Sequence, residues 1–196
     1  SLSIRYGLYG DCRMVLGPNS SRLLKVSSVF VKQVEVRDYG KKGVFLYGFS
    51  EKPELSTVET KWNSSRFVIV ESFSHKGFSL WLNKGSRIRI KWEAQSSILS
   101  QLQVFLNKGD QKHEATQSTN SGRFNVSKGT VHGFEAAHII EEDDRYNIGI
   151  INSNPKGVIL QMNVDISSTT YDIKKAKRMC STKDGPCRIN LSYSSP

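Results

Sequence analysis

At 196 residues the chain is long enough for one sizeable β-sandwich core or two small ones, so it can fold without a dense disulfide framework. Its 37% hydrophobic, 23% charged and 10% aromatic residues exclude the disordered, collagen-like and transmembrane classes. A net charge of +10 fits nucleic acid, an anionic membrane surface or an acidic polymer as partner, or a solvated basic surface with none.

The dominant periodicity is two, with β-branched and aromatic residues in short runs between Gly, Pro, Asn and Ser clusters, which predicts strands. Leu23–Arg37 alternates through Val29, Val31, Val34 and Val36 with one slip at Gln33, the mark of a bulge or change of face. Asp38–Gly43 reads as a hairpin loop, Val44–Phe49 as a strand and Glu54–Ser65 as a polar connection carrying Trp62. Phe67–Ser72 and Phe78–Leu82 follow as strands around a His75-Lys76-Gly77 turn, and Asn83-Lys84-Gly85 forms the next turn. Ser86–Glu93 puts Ile88, Ile90 and Trp92 on one face against Arg87, Arg89, Lys91 and Glu93 on the other, the pattern of a half-exposed strand.

Beyond Leu102–Leu106 the polar stretch Gln111–Gly122 is predicted to be the most mobile loop. Phe124–Val126, Val131–Phe134, Ala137–Ile140, Tyr146–Ile151 and Val158–Ile166 complete the strands, and only Thr170–Met179 reads as a helical turn or two. The series predicts an all-β fold: an antiparallel β-sandwich or jelly-roll-like packing, with or without division into two β modules. A boundary within Glu54–Asn63 would separate an N-terminal module, 1–60, from a C-terminal sandwich, 61–196, unless the two share one core.

No run of ~18 apolar residues occurs, and Ser1–Gly10 lacks the basic start and apolar stretch of a signal peptide. The chain is therefore either cytosolic or a segment of something longer. Of its three cysteines, Cys180 and Cys187 enclose the turn-forming Asp184-Gly185-Pro186, so a bridge between them is expected, with three reduced thiols as the alternative. Cys12 is left over. Sequons at Asn19, Asn63, Asn125 and Asn190 are glycosylation candidates and agree with an oxidising compartment.

Catalytic signatures are absent: there is no G-x-S-x-G, no phosphate-cradling glycine loop and no papain-like cysteine setting. His75, His113, His132 and His138 read as packing or surface residues, and no C-x₂-C appears, so no cofactor or metal is expected here. The acidic run Glu141–Asp144 lacks the alternating spacing of a calcium loop and reads as a solvated turn or a counter-charge for nearby lysines. Basic residues concentrate in Lys174, Lys175, Lys177 and Arg178 and alternate as Arg87, Arg89 and Lys91. No recognition helix or aromatic RNA-binding strand accompanies them, which argues against nucleic acid. Trp62, in its expected loop, is the best stacking platform for a sugar, and with Arg87, Arg89 and Lys91 it makes a weak ligand-binding set.

Longer runs carry a family resemblance. Arg5–Arg13, Leu16–Arg22, Tyr47–Ser50 before Lys52-Pro53, Gly77–Ser86, Trp92–Gln95, Ile140–Asp144, Tyr146–Gly149 and Met179–Ser181 before Cys187 resemble the plant membrane-anchored RING-type E3 ubiquitin ligases named for aberrant pollen development. The resemblance implies a parent protein of the endomembrane system that transfers ubiquitin, with a role in male gametophyte division. It also implies membrane spans outside this chain and a cytosolic RING whose zinc ligands this chain lacks. The strand order from Phe78 to Ile166 is similar to that of GOLD-type lumenal sandwiches. The resulting expectation is a non-enzymatic ectodomain in the secretory lumen or at the cell exterior, binding a protein or peptide ligand or a membrane-protein substrate. The rival expectation is a module binding an anionic cell-wall polysaccharide.

Overall fold

The computed structural model describes residues 2–6, 12–94, 102–109, 125–128 and 133–191, and among them every regular element is a β-strand. Contact density divides the chain into two compact units: 1–16, 22–56 and 171–196 form the first, and 17–21 with 57–170 form the second.

In the second unit two antiparallel sheets face one core. The five-stranded sheet runs β5 (Leu55–Val70), β12 (Val158–Tyr171), β7 (Arg87–Glu93), β10 (Gly133–Ile139), β9 (Asn125–Lys128). The three-stranded sheet runs β6 (Ser74–Leu82), β11 (Asp144–Asn152), β8 (Leu102–Lys108). Strict alternation places Ile88, Ile90 and Trp92 of β7 and Leu160, Val164 and Ile166 of β12 inside, opposite Leu80, Ile148, Ile150 and Leu106 of the smaller sheet. This is the β-sandwich expected from the sequence.

In the first unit a four-stranded sheet runs β14 (Cys187–Asn190), β3 (Gln33–Asp38), β1 (Leu2–Tyr6), β2 (Cys12–Met14), and β13 (Arg178–Ser181) pairs with β4 (Phe45–Gly48). Its core cluster is Ile4, Val31, Val34 and Val36, with Tyr6, Met14, Leu46 and others packed against them, and Leu2, Cys187 and Ile189 of the four-stranded sheet are buried as well.

Four local expectations need correction. Glu54–Ser65 is largely strand, because Trp62 and Val68 turn inward from β5 while Glu59, Lys61, Asn63 and Ser65 stay outside; a polar outer face on an edge strand imitates a loop. His75-Lys76-Gly77 lies within β6, not in a turn. Gly77 pairs with Gly149, and a Cβ on it would stand 2.4 Å from the Ile148 carbonyl oxygen, so this glycine serves a close strand approach. Thr170–Met179 contains no helix: β12 continues to Tyr171, one turn closes with Ala176 N donating to Ile173 O at 3.0 Å, and β13 follows. Within Leu23–Arg37 only the part from Gln33 onward is strand, since a turn at 28–30 lets Val31 N reach Ser27 O at 2.9 Å. The Gln111–Gly122 loop, His113 and His132 lie outside the described residues.

Candidate functional site

The basic triad and Trp62, the weak set read from the sequence, occupy opposite faces of the five-stranded sheet. Trp62 is half-buried and packs against the sandwich core. Arg87, Arg89 and Lys91 project outward, and each meets a carboxylate: Arg87 reaches Glu59 at 2.6 Å, Arg89 reaches Glu135 at 3.1 Å and Lys91 reaches the same Glu135 at 3.5 Å. Glu59 also accepts from Ser167 Oγ at 2.6 Å, and these hydrogen bonds, Ser167 first, hold its carboxyl below the ordinary glutamate range. The three basic side chains are thus each paired with a carboxylate and are separated from Trp62 by the sheet itself.

The acidic run is likewise engaged by its neighbours. Lys108 pairs with Glu142 and lies 3.9 Å from Asp144, Asp143 Oδ1 accepts the Lys84 amide at 2.7 Å, and Tyr146 Oη donates to Glu142 O at 2.8 Å. Counter-charging a lysine at a turn is its structural role.

Several segments that carry the family resemblance are architectural. Asn83, 2% exposed, donates to Ser21 O and Thr169 O at 2.9 Å each and accepts from Trp81 Nε1 at 3.0 Å. Gly85 adopts φ +87°, a conformation that favours glycine, and Ser86 Oγ accepts the Thr169 amide at 2.9 Å. Beside the Gly77–Gly149 pair a shallow hollow of ≈ 290 Å³ is lined by His75, Ser79, Phe105 and Asn147. Its polar pair is satisfied internally: Ser79 donates to Asn147 Oδ1, and Asn147 Nδ2 donates to Gly109 O at 3.0 Å. His75 stands edge-on to Phe105 with centroids 6.3 Å apart, and burial holds half-buried His138 below the ordinary histidine range.

Asn19, Asn63 and Asn190 are exposed, Asn19 Nδ2 donating to Lys61 O at 3.3 Å and Asn190 Oδ1 accepting from Gln33 at 2.8 Å. Asn125 lies in β9, where side chains are outside the description. Cys180 and Cys187 are joined in a disulfide, Cα atoms 5.6 Å apart, and Cys12 is an exposed free thiol. Because β13 pairs with β4 while β14 pairs with β3, the bridge clasps one sheet of the first unit to the other. These three cysteines therefore do not fit a tetrahedral zinc site.

Sequence reasoning missed how unevenly the charge is shared. Over the ranges of the two units the sequence holds 15 Lys/Arg against 7 Asp/Glu in the first and 13 against 11 in the second, so +8 of the +10 belongs to the smaller unit. It also missed an arginine face. Arg188 pairs in register with Glu35, which pairs with Arg5; Arg37 pairs with Ser3, which pairs with Arg13. Antiparallel partners share a side, so these six residues cover the sheet face opposite the core. They come from four strands as distant as Ser3 and Arg188, and no sequence spacing announces them. Arg5, Arg13 and Arg188 are exposed, whereas Ser3 and Glu35 are buried at 5% and 7% exposure.

Comparison with known proteins identifies the class and then the family. Curated relatives are E3 ubiquitin-protein ligases of Arabidopsis thaliana: APD1 is 31% identical over 93% of this chain and 42% of its own length, APD2 30% over 97% and 44%, and APD4 29% over 100% and 50%. Residues 43–112 match the family described as "E3 ubiquitin-protein ligase APD1-4, N-terminal" and residues 135–196 match its "middle domain". The chain belongs to the APD family of E3 ubiquitin-protein ligases. It spans about half the length, or somewhat less, of the curated relatives it matches. Among solved structures, the periplasmic g-type lysozyme inhibitors PliG of Aeromonas hydrophila and of Salmonella Typhimurium each align with 53% of this chain at 9% identity. They are covered to 85% and 86%, with TM-scores of 0.39 and 0.35, a likeness too slight to carry any argument.

Proposed function

We propose that this chain is the lumenal or extracellular recognition domain of a membrane-bound RING-type E3 ubiquitin ligase, taking a protein or peptide ligand or a membrane-protein substrate. The Cys180–Cys187 disulfide carries this reading. A disulfide persists on the oxidising side of a membrane, whereas a RING works in the reducing cytosol, so a ligase with this bridge needs a span between its two ends. The exposed sequon asparagines Asn19, Asn63 and Asn190 agree with that placement. Under this reading ubiquitin transfer belongs to the rest of the parent protein, and this region selects what is brought to it.

The test is intact mass of the chain secreted from eukaryotic cells, before and after deglycosylation, with thiol alkylation under non-reducing conditions. Glycan on at least one sequon with only Cys12 alkylated is the expected result. Three alkylated thiols without glycan would overturn the placement.

A further inference from the structure

The arginine face of the smaller unit already shows how it treats an oxyanion. Glu35 sits between two guanidinium groups: Arg37 Nε reaches Oε1 at 2.5 Å and Arg188 Nε pairs with Oε2. Hydrogen bonds from Arg188 and then Arg37 hold this carboxyl below the ordinary glutamate range.

Arg5 and Arg13 place a second pair of guanidinium groups on the same face, towards the β2 edge. The residue opposite Arg13 is Ser3, two positions before Arg5, so the two arginines are diagonal neighbours at about 7–8 Å between Cα atoms. Arg37 stands directly across from Ser3 on the next strand. Neither Arg5 nor Arg13 has a carboxylate partner among the described residues. Arg13 lies on β2, the edge strand of this sheet.

The geometry points to this face as a docking site for an extended acidic peptide, which adds alongside β2 and presents a carboxylate to Arg5 and Arg13. Three observations select this occupant. An edge strand offers unpaired backbone groups to an added strand, whose alternate side chains then fall on the arginine face. Planar guanidinium groups match carboxylates in pairs, as Glu35 demonstrates within the fold. Among the described residues the outward positions of β14, β3, β1 and β2 hold Arg, Glu, Gln, Asn and Ser; the exposed ring of Tyr39, just past β3, is engaged with Arg37 and stands two strands from β2, so the β1–β2 edge itself offers no platform for sugar rings or bases. The charge of the unit, 15 basic against 7 acidic residues, draws an acidic segment towards it.

This deepens the recognition reading by giving the ligand a chemistry, and the test separates the two. The purified, disulfide-bonded chain is titrated with a fluorescent decapeptide carrying glutamate at alternate positions, its glutamine counterpart and an oligouronate. Binding to the glutamate peptide that weakens as salt rises, and that drops about tenfold in Arg5→Gln/Arg13→Gln but less than twofold in Arg87→Gln/Arg89→Gln, is the expected result. The second pair removes the same charge from a face already self-paired.

Equal loss in both double variants would reduce the effect to net charge, and tighter binding of the oligouronate would make the face a polysaccharide site; either overturns the proposal. If the first double variant fails to fold, amide shifts on the native chain decide: perturbation must concentrate in β1 and β2, and perturbation elsewhere refutes the assignment. Since the assay is indifferent to compartment, its failure leaves the secretory placement standing, and the reverse also holds.

Discussion

Among the described residues the larger unit buries a core cluster of eighteen between two sheets and its sequence nearly balances its charge, whereas the core cluster of the smaller has four buried members, with Leu2, Cys187 and Ile189 buried besides, and its sequence carries +8. Apolar area stabilises the first. The second has a smaller core and adds a covalent clasp between its two sheets, a device common in small modules. The two outer faces also differ in charge pairing: Arg87, Arg89 and Lys91 of the large sheet meet Glu59 or Glu135, and Arg5 and Arg13 of the small one have no carboxylate partner among the described residues. Most of the burial and most of the net charge thus fall in different parts of one chain.

The strongest way to break the contrast is at Gly149, where an added Cβ would stand 2.4 Å from Lys76 O and 2.6 Å from Phe105 Cζ. Gly149→Ala is expected to destabilise the sandwich by about 3 kcal/mol, read from urea unfolding. A loss below about 1 kcal/mol would mean that the strands there have slack. Next comes Cys180→Ser/Cys187→Ser, expected to cost about 2–3 kcal/mol, with hydrogen exchange accelerated in β3, β4 and β14 while β7 and β12 stay protected. Uniform acceleration throughout would show that the two units do not stabilise themselves separately.

Glu35 sharpens the contrast through pH. Its carboxyl is held below its unfolded value of 4.5, so the native state binds that proton more weakly than the unfolded chain does. The resulting stability is present above about pH 4.5 and is lost as pH falls through the lower native value. Glu35→Gln should cost about 1–2 kcal/mol at neutral pH and remove this acid dependence from the smaller unit.

Tyr146 behaves oppositely in the larger unit. Burial first, then Asp144 and Glu142, push it up to about 12 from 10.0, so its contribution is present below pH 10 and is lost as pH rises towards 12. Ultraviolet titration should find a tyrosine ionising near 12 that is absent in Tyr146→Phe, alongside Tyr6 of the smaller unit, which burial also pushes up. The smallest effect belongs to Arg87→Gln: the Arg87–Glu59 pair is more than one-third exposed on average, and its loss should change stability by less than about 1 kcal/mol.

Much of the larger unit was legible in the sequence, because Ser86–Glu93 and Val158–Ile166 alternate cleanly and alternation reports a face against a core. The Cys180–Cys187 pairing was legible for a local reason, the turn at Asp184-Gly185-Pro186. Edge strands were not: β5 hides its inward Trp62 among polar neighbours, and Gly77 reads as a turn residue although strand contact requires it. The arginine face lay beyond any local pattern, since register across four strands assembles it and Glu35 meets Arg188 153 positions away. The sequence-read set is divided between two faces for a related reason. Trp62 and Arg89 belong to different strands, and only pairing within the sheet decides that they point apart.

The inserted position of the larger unit has a consequence for biosynthesis. Residues 57–170 leave the ribosome as one uninterrupted stretch and can complete their sandwich from that stretch and the already available 17–21. The smaller unit must wait, because β13 and β14 come after residue 171: until they arrive β4 has no strand partner and β3 is paired on one side only, with β1. The arginine face is therefore assembled in two stages: β1, β2 and β3 with Arg5, Arg13 and Arg37 are translated before the larger unit, and Arg188 on β14 after it. Any truncation ahead of Cys187 leaves Glu35 without Arg188. Chain order thus separates the strands that carry Arg5 and Arg13 from the one that completes the clamp on Glu35.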